Sequence, residues 1–108
     1  MNNEFQTLYQ TICDRRENPM EGSYTNYLFE QGLNKILKKC GEECSEVIIA
    51  AKDPEPVDLP NELCDLFYHL FVLMVEQKIP LSEIETILAE RSLKIGNKKT
   101  AHSTDKNS

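Results

Sequence analysis

Two carboxylate pairs at i,i+3 spacing, Glu43 with Glu46 and Glu62 with Asp65, stand on either side of a proline-punctuated break. Each pair lies in a stretch of helical apolar periodicity, so each projects from one face of its helix. Between them, Asp53 to Pro60 contains Pro54, Pro56 and Pro60, which stops the first helix and leaves room for only a short connection. Short connections make consecutive helices antiparallel neighbours. At 1.5 Å per residue, Glu46 falls about 9 Å before the end of one helix and Asp65 about 7.5 Å after the start of the next. These two are expected to face each other, with Glu43 and Glu62 a turn away on either side. Four like charges brought together cost stability unless something positive lies among them. An oxygen-only set suits a hard divalent cation, Mg²⁺, Mn²⁺ or Ca²⁺, and not zinc.

The remaining chain supplies helices to pack around this pair. Phe5, Leu8, Tyr9 and Ile12 form one stripe of a first helix, from Glu4 to about Glu17. Asn18, Pro19 and Gly22 break it, and Ser23 stands as N-cap to a short helix from Tyr24 to Gln31. Hydroxyls of the Ser23-Tyr24-Thr25 segment suit either capping or phosphate binding. After Gly32, the longest pattern runs from Leu33 to Lys52, with Ile36, Leu37, Cys40, Cys44, Val47, Ile48 and Ala51 on its apolar face. Lys35, Lys38 and Lys39 precede the first acids, either as a solvated face or as an anion clamp. Gly41 inside this helix costs about 1 kcal/mol against Ala and offers room for a close approach.

The second long helix is expected from about Asn61 to Gln77, with Tyr68 and His69 one turn beyond Asp65. His69 reads either as a satisfied, partly buried residue or as a group of the site. Ser82 with Glu85 forms a capping box for a last helix that turns Ile84, Ile87, Leu88 and Ile95 inward. Arg91 near its end is solvated, paired, or directed to a phosphate. From Gly96 the chain has no apolar period, so residues 1–95 are expected as one all-α domain and 96–108 as a disordered tail.

Length allows only one such domain, at 108 residues. A net charge of -6 excludes broad binding to nucleic acid or anionic membranes. The longest apolar run, Leu70 to Val75, is too short for a membrane span, and no signal peptide is present, so a cytoplasmic protein is expected. That run is apolar nearly all round its helix, which predicts a homodimer. Cys13, Cys40, Cys44 and Cys64 all fall in helical patterns and read as reduced thiols used as small hydrophobes.

The run Ser23-Tyr24-Thr25, Leu28, Gly32, Lys35-Ile36, Lys38-Lys39, Gly41-Glu42-Glu43-x-x-Glu46, Ala50-Ala51 and Asn61-Glu62-x-x-Asp65-Leu66-x-Tyr68-His69 resembles the phosphoribosyl-ATP pyrophosphatases of histidine biosynthesis. The resemblance extends from about Leu8 to Arg91. The acid constellation alone is similar to the wider all-α, MazG-like nucleoside triphosphate pyrophosphatases; the Ser-Tyr-Thr segment, the lysine pair and the Tyr-His narrow it. It implies a four-helix-type fold with two long antiparallel central helices, in a stand-alone form without a fused cyclohydrolase. It also implies Mg²⁺-dependent hydrolysis of 1-(5-phosphoribosyl)-ATP to the AMP derivative and pyrophosphate, with Mn²⁺ as an alternative ion.

Within that resemblance Glu43, Glu46, Glu62 and Asp65 are the expected metal ligands, and Glu42 is a ligand, a water-orienting base or a solvated neighbour. Lys38 and Lys39 are the phosphate clamps, with Lys35, Arg15 and Arg91 behind them. Ser23, Tyr24, Thr25 and His69 complete the substrate-binding set. Two competing readings share parts of this pattern. One is a housecleaning pyrophosphatase for non-canonical nucleoside triphosphates; the other is a non-catalytic helical dimer that binds a metal or nucleotide.

Overall fold

The computed structural model describes residues 3–96 and places five helices there, with no strand among the described residues. They are α1 (Glu4–Glu17), α2 (Tyr24–Gln31), α3 (Leu33–Lys52), α4 (Leu59–Glu76) and α5 (Leu81–Gly96). Residues 97–108, where most of the expected tail falls, lie outside the described part; Gly96 itself ends α5. No helix among the described residues is long and apolar enough to cross a membrane.

Local chemistry sets the helix limits. Asn3 caps α1 through a reciprocal box: its side chain accepts from the Gln6 N–H at 2.9 Å, and the Gln6 side chain accepts from the Asn3 N–H at 3.0 Å. Ser23 caps α2 as expected, its Oγ accepting from the Asn26 N–H at 3.2 Å. Gly32 separates α2 from α3 at φ +91° and ψ −176°, a conformation that an L side chain resists. The start of α4 differs from expectation: it opens at Leu59, two residues early, because Pro60 sits in its first turn, where the missing N–H costs nothing.

Contacts along the two long helices prove their antiparallel course. Glu46 neighbours Glu62, while the Cys40 thiol donates to the His69 carbonyl oxygen at 3.5 Å, so falling numbers on α3 meet rising numbers on α4. The core lies where α1, α2, α3 and α4 converge and consists of Ile12, Leu28, Ile36, Cys40, Phe71, Val72 and Val75. Phe5 and Tyr9 pack their rings edge-on against Phe71, at 6.1 Å between centroids in each case. The Tyr9 hydroxyl donates to the Ile79 carbonyl at 2.7 Å and ties α1 to the turn after α4.

Several sequence expectations change here. Leu70 to Val75 is not an open apolar surface: Phe71, Val72 and Val75 are buried and Leu70, Leu73 and Met74 half-buried, because three helices surround α4. Among the described residues the most exposed large apolar side chains are Ile48, Ile49, Val57, Leu88 and Leu93. Likewise α5 does not turn its apolar residues inward. Ile84 is half-buried, but Ile87 is 39% and Leu88 55% exposed, and every side chain from Glu85 to Lys94 is exposed. The Ile95 side chain lies outside the described part. Nor does Ser82 open a capping box, since α5 already begins at Leu81 and the Glu85 carboxylate accepts from the Gln6 side chain at 3.4 Å. All four cysteines are free, yet only Cys40 is buried; Cys44 and Cys64 face solvent. A Cβ added at Gly41 would meet nothing within 4 Å among the described residues, so no second helix of this chain approaches that glycine.

Candidate active site

Helix α3 carries Glu42, Glu43 and Glu46, and α4 carries Glu62 and Asp65, and their antiparallel packing turns both acid pairs into one face. Carboxylate oxygens of Glu43, Glu62 and Asp65 all lie within 4.8 Å of one another. Glu46 stands beside Glu62 and outside this three-way approach. The expected level pairing is thereby corrected. Glu46 lies nearer the end of α3 and meets Glu62, nearer the start of α4, whereas Glu43 joins Asp65 one turn further in.

Electrostatics in the cluster are unfavourable without a cation. Desolvation, followed by the neighbouring Glu46 and Asp65 carboxylates, holds the Glu62 carboxyl above its ordinary pKa. The donor set consists of carboxylates only, which matches a hard divalent ion and offers no thiolate or imidazole to a softer one. Below Glu46 and Glu62, an open cleft of about 450 Å³ continues along Asp53, Glu55 and Asp58.

Cations border the acids on one side. Lys39 Nζ lies 3.3 Å from Glu42 and 3.8 Å from Glu43. Desolvation pulls the pKa of Lys39 down, but Glu42, Tyr24 and Glu43 outweigh it and leave the ammonium above its ordinary value. Glu42, exposed, is therefore the partner of Lys39 and not a member of the three-way cluster. Lys35 sits over the Tyr27 ring, 5.9 Å from its centroid, and Lys38 is exposed on the same helix.

The Ser23-Tyr24-Thr25 segment is held against α4. Besides the capping Ser23, Thr25 is buried and its hydroxyl bonds the Tyr68 hydroxyl. Tyr24, exposed, stacks on Tyr27 and Tyr68, and its hydroxyl lies 3.0 Å from His69 Nε2. His69 is only 6% exposed, and its other nitrogen, Nδ1, lies 2.7 Å from the Asp65 carbonyl oxygen. Arg15, at the end of α1, pairs with Asp14 at 2.9 Å, and Arg91 is exposed on α5.

Asn26 is a residue that sequence reasoning missed. Buried at 9% exposure, it accepts from the Met20 N–H at 2.8 Å and donates to the Arg15 carbonyl at 2.6 Å. It fastens the loop that carries Ser23 to the end of α1. An Asn three residues into a short amphipathic helix gives no local signal of this, because both partners lie outside α2. Tyr68 was visible only as part of a motif; its partner Thr25 is 43 residues away in sequence.

A family model described as phosphoribosyl-ATP pyrophosphohydrolase matches residues 5–92, which include every acid and lysine just placed. The chain is 55% identical over 103 residues to a protein of Clostridium botulinum (strain Hall) named phosphoribosyl-ATP pyrophosphatase, covering 95% of this chain and 94% of that one. Proteins of the same name in Clostridium acetobutylicum and Bacillus cereus are 59% and 50% identical. Those matches cover 85% and 88% of this chain and 84% and 89% of theirs.

Proposed function

Because the chain belongs to the phosphoribosyl-ATP pyrophosphohydrolase family, we propose that it hydrolyses 1-(5-phosphoribosyl)-ATP to 1-(5-phosphoribosyl)-AMP and pyrophosphate, the second step of histidine biosynthesis. The observation that carries the site assignment is the approach of Glu43, Glu62 and Asp65 to within 4.8 Å beside Lys39. Glu43, Glu62 and Asp65, with Glu46 adjoining Glu62, would hold Mg²⁺, or Mn²⁺ in its place. When bound, such an ion neutralises phosphate charge and lowers the pKa of a coordinated water.

The chain's own groups do the rest. Lys39, fixed by Glu42 and Glu43, presents its ammonium to phosphate oxygens, and Lys38 and Lys35 extend the positive edge along α3. Arg15 and Arg91 are assigned an outlying role toward the second phosphate. Glu42 holds Lys39 in place. Ser23, Tyr24 and Thr25 form the wall of the site on the α2 side, with His69 behind Tyr24. In an acidic chain, these lysines are the local exception that lets a polyanionic substrate approach.

The exposed apolar residues Ile48, Ile49, Val57, Leu88 and Leu93, and the unpacked outer part of α5, support a homodimer in which a second copy covers them, and the family's biosynthetic role supports a cytoplasmic location. Sedimentation should give twice the monomer mass, and a monomer at micromolar concentration would refute this part.

Pyrophosphate release measured in parallel with phosphoribosyl-ATP, ATP and non-canonical deoxynucleoside triphosphates, with and without Mg²⁺, tests the function. Preference for phosphoribosyl-ATP with Mg²⁺ is expected. Preference for a deoxynucleoside triphosphate would instead favour a housecleaning role, and turnover of none would leave only a binding role. Glu46→Gln and Asp65→Asn should each abolish turnover while the chain stays folded; near wild-type rates in either would remove that residue from the metal set.

A further inference from the structure

Helix α5 carries a stripe that its own chain uses only in part. Leu81, Ile84, Ile87, Leu88 and Arg91 recur at three- and four-residue spacing and so share one side of the helix. Leu81 packs against the core and Ile84 is half-buried, but from Glu85 to Lys94, about 15 Å of helix, every side chain is exposed. Leu88 is 55% exposed, and Arg91 follows it in the stripe. The ion pairs among the described residues use Arg15, Arg16 and Lys39, and not Arg91. A second open surface has the complementary character. The cleft below Glu46 and Glu62 is lined by the carboxylates of Glu46, Asp53, Glu55, Asp58 and Glu62, with no lysine or arginine among the described residues that line it. On its lip stand Ile49, 67% exposed, and Val57, 80% exposed.

We propose that α5 of one copy docks on this lip in a second copy, and that each acidic cleft is completed by Arg91 of the other copy, which contacts substrate phosphate there. Apolar matching alone allows like to meet like, α5 on α5 and lip on lip. Charge decides between the two pairings. Lip on lip sets one group of carboxylates against another, and α5 on α5 sets Arg91 against Arg91, whereas the crossed pairing places a guanidinium over an acidic cleft. A two-fold axis makes the crossed contact twice and closes the dimer with neither surface left open. Arg91 suits the position because its guanidinium stays charged when desolvated and grips phosphate oxygens two at a time. Glu62 belongs both to this cleft and to the three-way carboxylate cluster, so a cation at the mouth of the cleft stands beside the proposed ion site. The phosphate contact rests on the pyrophosphohydrolase reading; the pairing of surfaces does not.

Sedimentation at micromolar concentration tests the pairing without substrate. Ile49→Asp and Leu88→Asp should each give monomers, and an equal mixture of the two should regain dimer, because one of its two contacts is then free of both substitutions. Arg91→Glu, which adds a carboxylate to an acidic cleft, should weaken the dimer by about tenfold or more. A monomeric wild type, a dimeric Ile49→Asp or Leu88→Asp variant, a mixture that stays monomeric, or an Arg91→Glu dimer as tight as wild type would each overturn the inference whatever the substrate. Pyrophosphate release with Mg²⁺ and phosphoribosyl-ATP tests the contribution to the site. Arg91→Ala should lower kcat/KM by about tenfold or more. A dimer of one Arg91→Ala and one Asp65→Asn copy has one site that lacks both groups and one that keeps both. An equal mixture, dissociated and reassociated, should therefore recover about a quarter of wild-type turnover, well above either variant alone. No gain over the separate variants would mean that Arg91 serves its own chain or no site, and would overturn the inference. Lack of turnover in the wild type would refute the functional reading alone, since the sedimentation result is independent of it.

Discussion

Replacing Asn26 by Ala tests how the substrate-side segment is held. The substitution removes two hydrogen bonds at once, the one that Asn26 Oδ1 accepts from the Met20 N–H and the one that Asn26 Nδ2 donates to the Arg15 carbonyl, and leaves both main-chain groups without that partner. Each such bond contributes about 1 kcal/mol net, and a buried group left unpaired costs about 1–3 kcal/mol. Both bonds are half-buried, so water recovers part of the loss. A net destabilisation of about 2 kcal/mol follows, which for a domain of this size lowers Tm by roughly 8–16 °C. Urea unfolding followed by circular dichroism gives the free energy directly. Asn26→Asp separates the two bonds, because it keeps the acceptor for Met20 but sets a carboxylate against the Arg15 carbonyl. A loss below about 0.5 kcal/mol in Asn26→Ala, the range of an ordinary surface change, would refute the claim that this side chain fixes the loop.

Three further outcomes are expected. Glu62→Gln should raise the Tm of the metal-free protein, because one member of the crowded carboxylate set loses its charge, and should reduce the stabilisation conferred by Mg²⁺; an unchanged Mg²⁺ effect would remove Glu62 from the ligands. The folded-state pKa of Glu62 is raised, so its favourable contribution is present below the ordinary carboxylate range and is lost as pH rises through the folded value. The Tm difference between Glu62→Gln and wild type should accordingly vanish on acidification. Gly41→Ala, mid-helix with open space around it, should stabilise by up to about 1 kcal/mol, whereas Gly32→Ala should destabilise by about 1–3 kcal/mol because of its positive φ; calorimetry showing the same sign for both would contradict this. Val72→Ala, fully buried at the centre of the core, should cost about 2–3 kcal/mol in urea unfolding, and a negligible loss would mean that the core is misplaced.

Sequence by itself determined the helices and the chemistry. The apolar period, the Ser23 cap, the Gly32 break and the proline-rich connection fix four of the five helices to within about two residues, because each is a local property of the backbone. Two acid pairs at i,i+3 on helices joined by a short turn must meet, so a shared carboxylate face was legible before any coordinates. Tertiary structure alone decided the rest. Which acids approach depends on the axial register of α3 against α4, a packing property that the count of residues from helix ends misjudged by about one turn, placing Asp65 opposite Glu46 instead of Glu43. Whether Leu70 to Val75 lies open depends on how many helices surround α4, and with its apolar side chains covered the most exposed large apolar residues are those of α5, the end of α3 and the connection after it. The Met20–Asn26, Thr25–Tyr68 and Tyr24–His69 bonds join residues 6 to 45 positions apart. Spacing within one helix cannot encode such bonds, since they exist only after the helices have docked.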